Sequence, residues 1–461
     1  MDHRPDAASF RGMTTYAKIG AFLLAAGWGL IAASWTPRGP LTGAEALWSV
    51  AVSAGAGFLA GWTTRSRWAI IGAPLTFAVV FELARATATG PSVDAPHPSI
   101  MGILVLVTGR GVHALLSLLP MAVAAAFAHR RPAARRWRRV TGRIALGLAT
   151  VVTVAFAVAA AVPARTEPIS GGVAELAHVG GLGVMIRGAS PSLPLLLYVP
   201  GPPGGSATGT MRGRLAALER RFVVATMDRR GAEGRAPELT VDSETADVLT
   251  VTDHLRKRFG QDRITLVGHS GGSIPAVLAV QRHPERYRAY VGTGQAVDLR
   301  ASDRIFYTDV LAWARSGGRS EVVAQLERQG PPPWDDAYDY EPFHLHAAEA
   351  YGVAGAPVDI GAGEYTLLAK AHTMTRMLDT WDALYPRMQD TDLRREVPAL
   401  AVPAYFVQGG REMRGLAEPF AAWYAALESP DKRLVTFPAA GHHPMSEDPD
   451  RFVSTLTELL A

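Results

Sequence analysis

Hydrophobic and polar positions follow two different patterns along the chain. Before about residue 165, five long apolar stretches follow one another, at residues 19–35, 44–62, 68–83, 100–128 and 144–162. A bilayer core about 30 Å thick is crossed by about 20 residues of apolar helix. The pattern therefore predicts an α-helical transmembrane region of about five spans over residues 1–165. Buried helices of a soluble protein are the alternative, which the scarcity of charge in these stretches disfavours.

The fourth stretch differs from the others because it contains Arg110 and His113. Ionisable side chains are rare inside membranes, so the span either covers the whole stretch or starts near Val112. In the second case, residues 100–108 would be re-entrant or lie on the membrane surface. Glu82 and Arg85 end the third stretch, where we expect them at the interface.

Positive charge in the loops predicts the orientation of these spans. If the N-terminus is cytoplasmic, the outer loops hold only Arg38 and Arg85, and the inner segments hold Arg4, Arg11, Lys18, Arg65, Arg67 and seven arginines between residues 130 and 143. The positive-inside rule then places everything after about residue 163 outside the cytoplasm. The arginine cluster also suits an anionic lipid bilayer as partner. Residues 161–164 resemble a signal peptidase site, which leaves release of the downstream domain as an alternative.

After residue 166, short apolar runs alternate with amphipathic ones. This alternation predicts an α/β domain with a mainly parallel sheet covered on both faces. Residues 173–187 read as a hairpin, 212–221 and 245–259 as helices, the latter capped by Asp242 or Ser243, and 195–199, 222–226 and 264–267 as strands. The alternation breaks at residue 298 and resumes near 398, which predicts core segments at 166–297 and 398–461 and a helical cap at 298–397.

The amino-acid composition excludes several kinds of functional site. The 461 residues include no cysteine, which excludes disulfides, thiol catalysis and cysteine metal sites. A net charge of +4 with clustered basic residues gives no reason to expect a nucleic-acid partner. The sequence implies no metal or organic cofactor, and it does not fix an oligomeric state.

The main candidate for chemistry is Gly-His-Ser-Gly-Gly at residues 268–272, between an apolar run and a run of small and apolar residues. Gly-x-Ser-x-Gly at a strand-to-helix turn is typical of a nucleophile elbow, in which the serine hydroxyl is exposed at the end of the strand. Ser270 is therefore the predicted nucleophile, and the amide of Gly271 is a predicted oxyanion donor. A glycine-rich turn without chemistry is the alternative.

A serine nucleophile needs a base, and the base needs a carboxylate to orient it. His442 follows the last predicted strand and is the predicted base, with His443 as the alternative. Glu412 follows the strand predicted at 401–407 and is the predicted acid, with Asp298 as the competitor. The order serine, acid, histidine is that of α/β-hydrolases.

A second oxyanion donor is expected from the loop after the strand at 195–199. This loop reads Pro-Gly-Pro-Pro-Gly-Gly at residues 200–205. Because prolines have no N–H, the donor must be Gly201, Gly204 or Gly205, unless a side chain or a water supplies it. A structural glycine-proline turn is the alternative.

These motifs resemble the proline iminopeptidase (prolyl aminopeptidase) branch of the α/β-hydrolases from about residue 195 to the C-terminus. Residues 200–204 stand where that family has His-Gly-Gly-Pro-Gly, and Asp-Arg-Arg-Gly at 228–231 resembles its Asp-Gln-Arg-Gly. Residues 268–273 resemble its Gly-Gly-Ser-Trp-Gly-Ser, and His-Pro-Glu-Arg at 283–286 matches it. The chain departs from the family at Pro200, Pro202, Gly271 and Glu412, which replace histidine, glycine, tryptophan and aspartate.

The resemblance implies an α/β-hydrolase fold and a serine hydrolase that cleaves an ester or amide of a small molecule or peptide, with an aminopeptidase-like activity as one form. It also implies that cap carboxylates hold a substrate amino group, for which the candidates are Asp335, Asp336, Glu341, Glu349 and Glu364. Cap aromatic residues could line a pocket or pack the cap: Trp334, Tyr338, Tyr340, Phe343 and Tyr351.

The whole architecture resembles membrane-tethered bacterial α/β-hydrolases. That resemblance implies a multi-pass protein of the bacterial cytoplasmic membrane with its hydrolase domain outside the cytoplasm. The proline-containing loop supports an alternative, a non-catalytic sensor or binding protein on a degenerate hydrolase scaffold. Transport through the helices is a third hypothesis, and it rests only on Glu82, Arg85, Arg110 and His113.

Overall fold

The computed structural model describes residues 7–35, 41–86, 96–129, 136–202, 204–231, 239–355 and 359–461. The chain forms two compact units. The first comprises Met1–Pro163 together with Thr366–Thr375, and the second comprises Ala164–Tyr365 together with Arg376–Ala461. The segment Thr366–Thr375 lies within the predicted cap by sequence but packs in the first unit. The domain boundaries at residues 165, 297 and 397 stay predictions.

The first unit is helical. Among the described residues, four helical stretches are long and apolar enough to cross a membrane: Gly43–Thr64, Ala69–Ala86, Ile100–Ala128 and Arg139–Ala161. The helix Ala7–Trp35 precedes them, and its apolar part, Ile19–Ser34, is shorter. The predicted helical region is thus present, as several apolar helices compatible with a transmembrane region. Arg4, Arg38 and residues 130–135, which carry part of the predicted charge asymmetry, lie outside the described residues.

The fourth apolar stretch forms one unbroken helical run. It consists of the helix Ile100–Leu106, a π-helical turn at Val107–Gly111 and the helix Val112–Ala128. Arg110 lies on the π-helical turn and pairs with Glu82 of the preceding helix. The structure therefore has no break before Val112, and the pairing lowers the cost of placing these two charges in an apolar region.

Small residues let the helices of this unit approach closely. A Cβ added at Gly57 would lie 2.0 Å from the carbonyl oxygen of Met121 in the facing helix. The short helix Leu367–Ala371 also packs here, and Leu368 is buried against Leu116 and Ala160. Backbone approach through small residues is the usual packing mode of helices in membranes.

The second unit is built on an eight-stranded sheet with the order β1-β2-β4-β3-β5-β6-β7-β8. The strands are β1 Val173–Val179, β2 Leu182–Gly188, β3 Leu195–Val199, β4 Val223–Met227, β5 Ile264–His269, β6 Tyr287–Thr293, β7 Ala404–Gly409 and β8 Lys432–Phe437. The first two strands form the predicted hairpin, β2 runs antiparallel to β4, and all the other pairs are parallel.

Helices cover both faces of this sheet, as expected because the inner strands β3, β4 and β5 are buried along their whole length. The helices of the core segments are Thr208–Gly213, Val241–Phe259, Ser273–Arg282, Arg414–Ala426, Pro444–Glu447 and Pro449–Leu459. One local prediction was wrong: residues 212–221 are not one helix, because Thr208–Gly213 is followed by a separate 3₁₀ turn at Ala216–Arg220. The predicted capping of the helix at 241–259 by Asp242 or Ser243 is correct only in part. The N-cap residue is Thr240, and Ser243 completes a capping box in which each side chain accepts from the amide of the other residue.

The insertion between β6 and β7 is helical, as predicted. Its helices are Leu299–Ser316, Ser320–Gln329, Glu341–Ala350, Leu367–Ala371, Thr373–Met388 and Leu393–Glu396. Aromatic rings pack its interior, including Trp334 with Tyr340 at 4.9 Å and with Phe343 at 5.1 Å between ring centroids. The mixed α/β sheet with a helical insertion matches the predicted fold class.

Candidate active site

The predicted elbow is a strained turn at the carboxyl end of β5. Ser270 has a φ of 50°, in the left-handed region that side chains other than glycine rarely adopt. A Cβ at Gly268 would lie 2.7 Å from the Cα of Ser273, and one at Gly272 would lie 2.1 Å from the carbonyl oxygen of Pro200. Glycine at these two positions is therefore what lets β5, the following helix and the loop after β3 meet at the serine.

A continuous chain of hydrogen bonds leaves the serine. The Ser270 hydroxyl lies 2.8 Å from Nε2 of His442, and Nδ1 of His442 lies 2.9 Å from Oε2 of Glu412. The side chains of His442 and Glu412 are only 8% and 5% exposed. The structure thus brings together the three residues singled out from the sequence, in the geometry that serine nucleophiles require.

Backbone contacts between two loops bring the acid and the base together. The turn after β7 and the loop after β8 are joined by hydrogen bonds from Gly410 to Phe437 (2.7 Å) and from Arg411 to Ala440 (2.9 Å). Gly409 allows this approach, because a Cβ there would lie 1.9 Å from the carbonyl oxygen of Gly441. Parallel neighbouring strands end at the same edge of the sheet, so their loops meet there.

The hydrogen bonds define the protonation of His442. Its Nδ1–H donates to the Glu412 carboxylate, so Nε2 carries the lone pair that accepts from Ser270. Burial opposes a charge on the ring, but the attraction of Glu412 and its hydrogen bond outweigh burial and raise the pKa of His442 above its ordinary value. The arrangement can therefore remove a proton from Ser270 and hold it on the imidazole.

The two alternative residues have other partners. Nδ1 of His443 lies 3.2 Å from Nε2 of His269, whose own Nδ1 donates to the carbonyl oxygen of Thr293. Burial and then the nearby His442 lower the pKa of His443 to about 3, so this ring is neutral. Asp298 caps the helix Leu299–Ser316 through the amide of Ala301 and pairs with Arg394.

The loop after β3 lies against the elbow. A Cβ at Gly201 would lie 2.8 Å from the Cβ of Ser270, so this glycine comes closest to the serine. The Gly205 amide donates to the Pro202 carbonyl at 2.9 Å and is thereby engaged. Gly201 and Gly204 remain as loop positions with an N–H to offer beside Gly271. Pro203 lies outside the described residues.

Three residues at this site have no role in the predictions from sequence. Glu447 accepts from the amides of Gly441 (3.0 Å) and His443 (3.2 Å) and so holds the loop that carries the base. Gly294, with a φ of 50°, leaves room for the imidazole, because a Cβ there would lie 2.9 Å from Cε1 of His442. Arg229 donates to the carbonyl oxygen of Gly201. A lone Glu or Gly near a motif is too common a signal to reveal such contacts, and the resemblance at residues 228–231 assigned no contact to Arg229.

Most cap residues singled out from the sequence have structural partners. Asp336 caps the 3₁₀ turn Ala337–Tyr340, Glu349 pairs with Arg319 at 2.8 Å, and Glu364 pairs with Arg212 at 2.7 Å. The Tyr351 hydroxyl donates to Asp309.

Asp335 is exposed and Glu341 is buried. The ring packing described for Trp334, Tyr340 and Phe343 fills the cap interior, and Tyr338 is half-buried. One buried cap carboxylate was not singled out from the sequence: burial raises the pKa of Asp303 to about 7.

Within the described part of the chain, no group of three or more histidine or carboxylate side chains is arranged to hold a metal ion.

Comparison with known proteins identifies the family of the fold. The model of the alpha/beta hydrolase family matches residues 196–455, more than half of the chain. This protein belongs to the alpha/beta hydrolase family. The match runs from β3 to the last helix and includes the elbow and both loops that carry Glu412 and His442.

Individual relatives agree with this assignment. The chain is 26% identical over 290 residues to the "Probable aminopeptidase YbaC" of Bacillus subtilis (strain 168), a match that covers 59% of this chain and 91% of that protein. It is 22% identical over 286 residues to the "Probable proline iminopeptidase" of Leptolyngbya boryana, covering 57% and 88%.

Among solved structures, the proline iminopeptidase-related protein TTHA1809 from Thermus thermophilus aligns over 63% of this chain and 97% of its own, with 20% identity and a TM-score of 0.44. The predicted resemblance to the proline iminopeptidase-like branch is confirmed, and this member of the alpha/beta hydrolase family is a hydrolase.

Proposed function

We propose that this hydrolase is a membrane-anchored serine hydrolase that cleaves an ester or amide through Ser270, His442 and Glu412. The observation that carries the proposal is the hydrogen-bonded chain from the strained Ser270 through His442 to a buried carboxylate. A nucleophile at the end of a strand, a base 2.8 Å from it and an orienting acid are what acyl transfer to serine requires.

In the first half of the reaction, Nε2 of His442 takes the proton of the Ser270 hydroxyl while Oγ attacks the carbonyl carbon. The negative oxygen that forms accepts hydrogen bonds from the Gly271 amide and from an amide of the loop after β3, for which Gly201 is best placed. The imidazolium is stabilised by Glu412 and then gives its proton to the leaving alcohol or amine. In the second half, His442 takes a proton from water, the resulting hydroxide attacks the acyl-enzyme, and Ser270 recovers its proton.

For the substrate, we propose a small molecule or peptide with an ester or amide bond, and an aminopeptidase-like activity first. The names of the two relatives, an aminopeptidase and a proline iminopeptidase, support this order. No motif identifies which cap carboxylate would hold an amino group, so esters stay in the proposal.

For the location, we propose a multi-pass protein of a bacterial cytoplasmic membrane with the hydrolase domain outside the cytoplasm. Four long apolar helices support insertion in a bilayer. Exposed tryptophans lie beside basic residues at the ends of the helices, where the interface is expected: Trp62, Trp68 and Trp137 near Arg65, Arg67 and Arg139. All of these belong to the predicted cytoplasmic side.

A fluorophosphonate probe tests the chemistry. The full-length protein in detergent should be labelled, and Ser270→Ala should abolish labelling and the hydrolysis of aminoacyl and short-chain ester substrates without a change in melting temperature. Folded wild-type protein that is neither labelled nor active would instead favour a binding protein on a degenerate scaffold. That alternative has one supporting observation, Pro202 at the position where the related family has a glycine amide.

The location needs a separate measurement. A cysteine placed singly in this cysteine-free chain, in the hydrolase domain or in the loop at Ser66, can be labelled in intact cells with a membrane-impermeant maleimide. The proposal expects labelling in the domain and protection at position 66. The reverse pattern would refute the orientation without touching the chemistry.

A further inference from the structure

Arg229 is a buried charge that contacts the loop after β3. Its side chain is 2% exposed, and it pairs with Glu244, itself 4% exposed, through Nε (2.9 Å) and Nη2. The remaining nitrogen, Nη1, donates to the carbonyl oxygen of Gly201. A planar guanidinium holds its N–H donors in a fixed, forked arrangement and can make all these bonds at once, whereas a lysine ammonium cannot.

The same residue holds the loop at its other end. The backbone amide of Arg229 donates to the carbonyl oxygen of Gly205 at 3.0 Å. Its carbonyl oxygen accepts from Nη2 of Arg376 at 3.0 Å. Arg229 therefore contacts both the first and the last glycine of the segment that contains the candidate oxyanion donors, Gly201 and Gly204.

Proline makes the placement of this segment more demanding. Pro202 and Pro203 have no N–H, and the Gly205 amide is engaged by Pro202. The oxyanion hole, the set of amides that would bind the negative oxygen, therefore has fewer amides that could replace a displaced donor if the loop shifts. Gly201 also packs against the elbow itself, because a Cβ at Gly271 would lie 2.9 Å from the Gly201 carbonyl oxygen. That oxygen is the one Arg229 holds.

We propose that Arg229, held in place by Glu244, is a positioning residue of the oxyanion hole, which fixes the Gly201–Pro202 peptide so that a loop amide faces the reacting carbonyl. The proposal rests on the serine hydrolase function. Arg229 does not touch substrate, so its loss should weaken stabilisation of the transition state and leave binding of the substrate nearly unchanged.

The test uses the full-length protein in detergent. Arg229→Lys keeps the charge but removes the forked set of N–H donors. The double variant Arg229→Met/Glu244→Gln removes both charges. Neither variant therefore leaves an unpaired buried charge. The matched control is Arg230→Lys, the same substitution one residue on, where the guanidinium pairs with Asp247 at 2.9 Å. For each protein, the rate constant and the affinity constant of fluorophosphonate labelling are measured separately, together with the pH profile and amide hydrogen exchange of residues 201–207.

Removing one oxyanion donor outright costs on the order of 10²–10³ in rate, so a displaced donor should cost about 10- to 100-fold. We expect that loss in the labelling rate constant of both Arg229 variants, with the affinity constant and the acid limb of the pH profile unchanged and faster exchange in residues 201–207. The control should stay close to wild type. A loss confined to the affinity constant, or an equal loss in the control, would refute positioning.

The two proposals can fail separately. If wild-type protein is labelled and both Arg229 variants are labelled as fast, the serine hydrolase stands and the positioning role is wrong. If folded wild-type protein is not labelled, the hydrolase function fails, and the exchange measurement alone decides whether Arg229 fixes the loop. Unchanged exchange in both Arg229 variants then overturns the inference.

Discussion

Replacing Glu412 by glutamine tests the proposed triad most directly. The carboxylate accepts from Nδ1–H of His442 at 2.9 Å in a buried site, and it contributes more than Glu447 to raising the pKa of this histidine. A glutamine amide is nearly isosteric but can donate a hydrogen bond to Nδ1. It would then stabilise the tautomer with hydrogen on Nε2, which cannot accept the Ser270 proton.

The expected loss follows from these two effects. The wrong tautomer and the loss of an anion beside the imidazolium together cost about 10⁴ in kcat in a comparable triad, which corresponds to about 5.4 kcal/mol at 1.36 kcal/mol per factor of ten. KM should change little, because Glu412 contacts His442 and not the substrate. Initial rates on the best ester or aminoacyl substrate provide the measurement, with Glu418→Gln as the control on an exposed glutamate that pairs with Arg414.

The pH profile adds a second readout with a definite sign. The base must be neutral, so activity falls as the pH drops through the pKa of His442, which Glu412 raises. Glu412→Gln removes that attraction and leaves burial, which lowers the pKa of the ring. The acid limb of the residual activity should therefore move to lower pH. A variant that keeps wild-type kcat and an unmoved acid limb would show that Glu412 does not orient the base.

Three further predictions concern other parts of the molecule. Gly201→Ala should lower kcat about 100-fold, because the new Cβ would lie 2.8 Å from the Cβ of Ser270, while Gly213→Ala, which has open space, should be silent in the same assay. Burial raises the pKa of Asp303 from 3.8 to about 7, so between these pH values the folded state keeps a proton that the unfolded state has lost, and the free energy of unfolding decreases as the pH rises. Thermal melts should therefore show a flatter pH dependence for Asp303→Asn, and an unchanged slope would contradict this. Gly57→Val should lower the melting temperature in detergent, because a Cβ there meets the facing helix at 2.0 Å, and equal melting would show that the helices do not pack this closely.

The elbow shows how much of the structure local sequence can predict. Gly-x-Ser-x-Gly between an apolar run and small residues predicted a strand, a turn and a helix, and all three are present. Each of these features depends on residues within a few positions of one another. The alternation of apolar runs likewise predicted the strands along the chain, and the lengths of the apolar stretches predicted the helical first unit.

The hydrogen-bond partners of the two histidines after β8 do not follow from local sequence patterns. His442 and His443 are neighbours in sequence, yet one contacts Ser270 and the other contacts His269. Which ring faces the serine depends on the path of the loop after β8, and Glu447 and Gly294 help to define that path. Motifs and spacing ranked the candidates, whereas the distances between them follow from loops that are far apart in the chain.

Periodicity and local motifs are enough to predict the class of fold, the apolar helices, the elbow and a short set of candidate residues. Three other features became visible only in the folded chain: Arg229 holds Gly201, Asp298 is a helix cap, and Thr366–Thr375 packs with the apolar helices of the first unit. Such contacts depend on how distant or differently oriented segments approach one another. Their energies come from burial and three-dimensional proximity, which no local pattern of residues encodes.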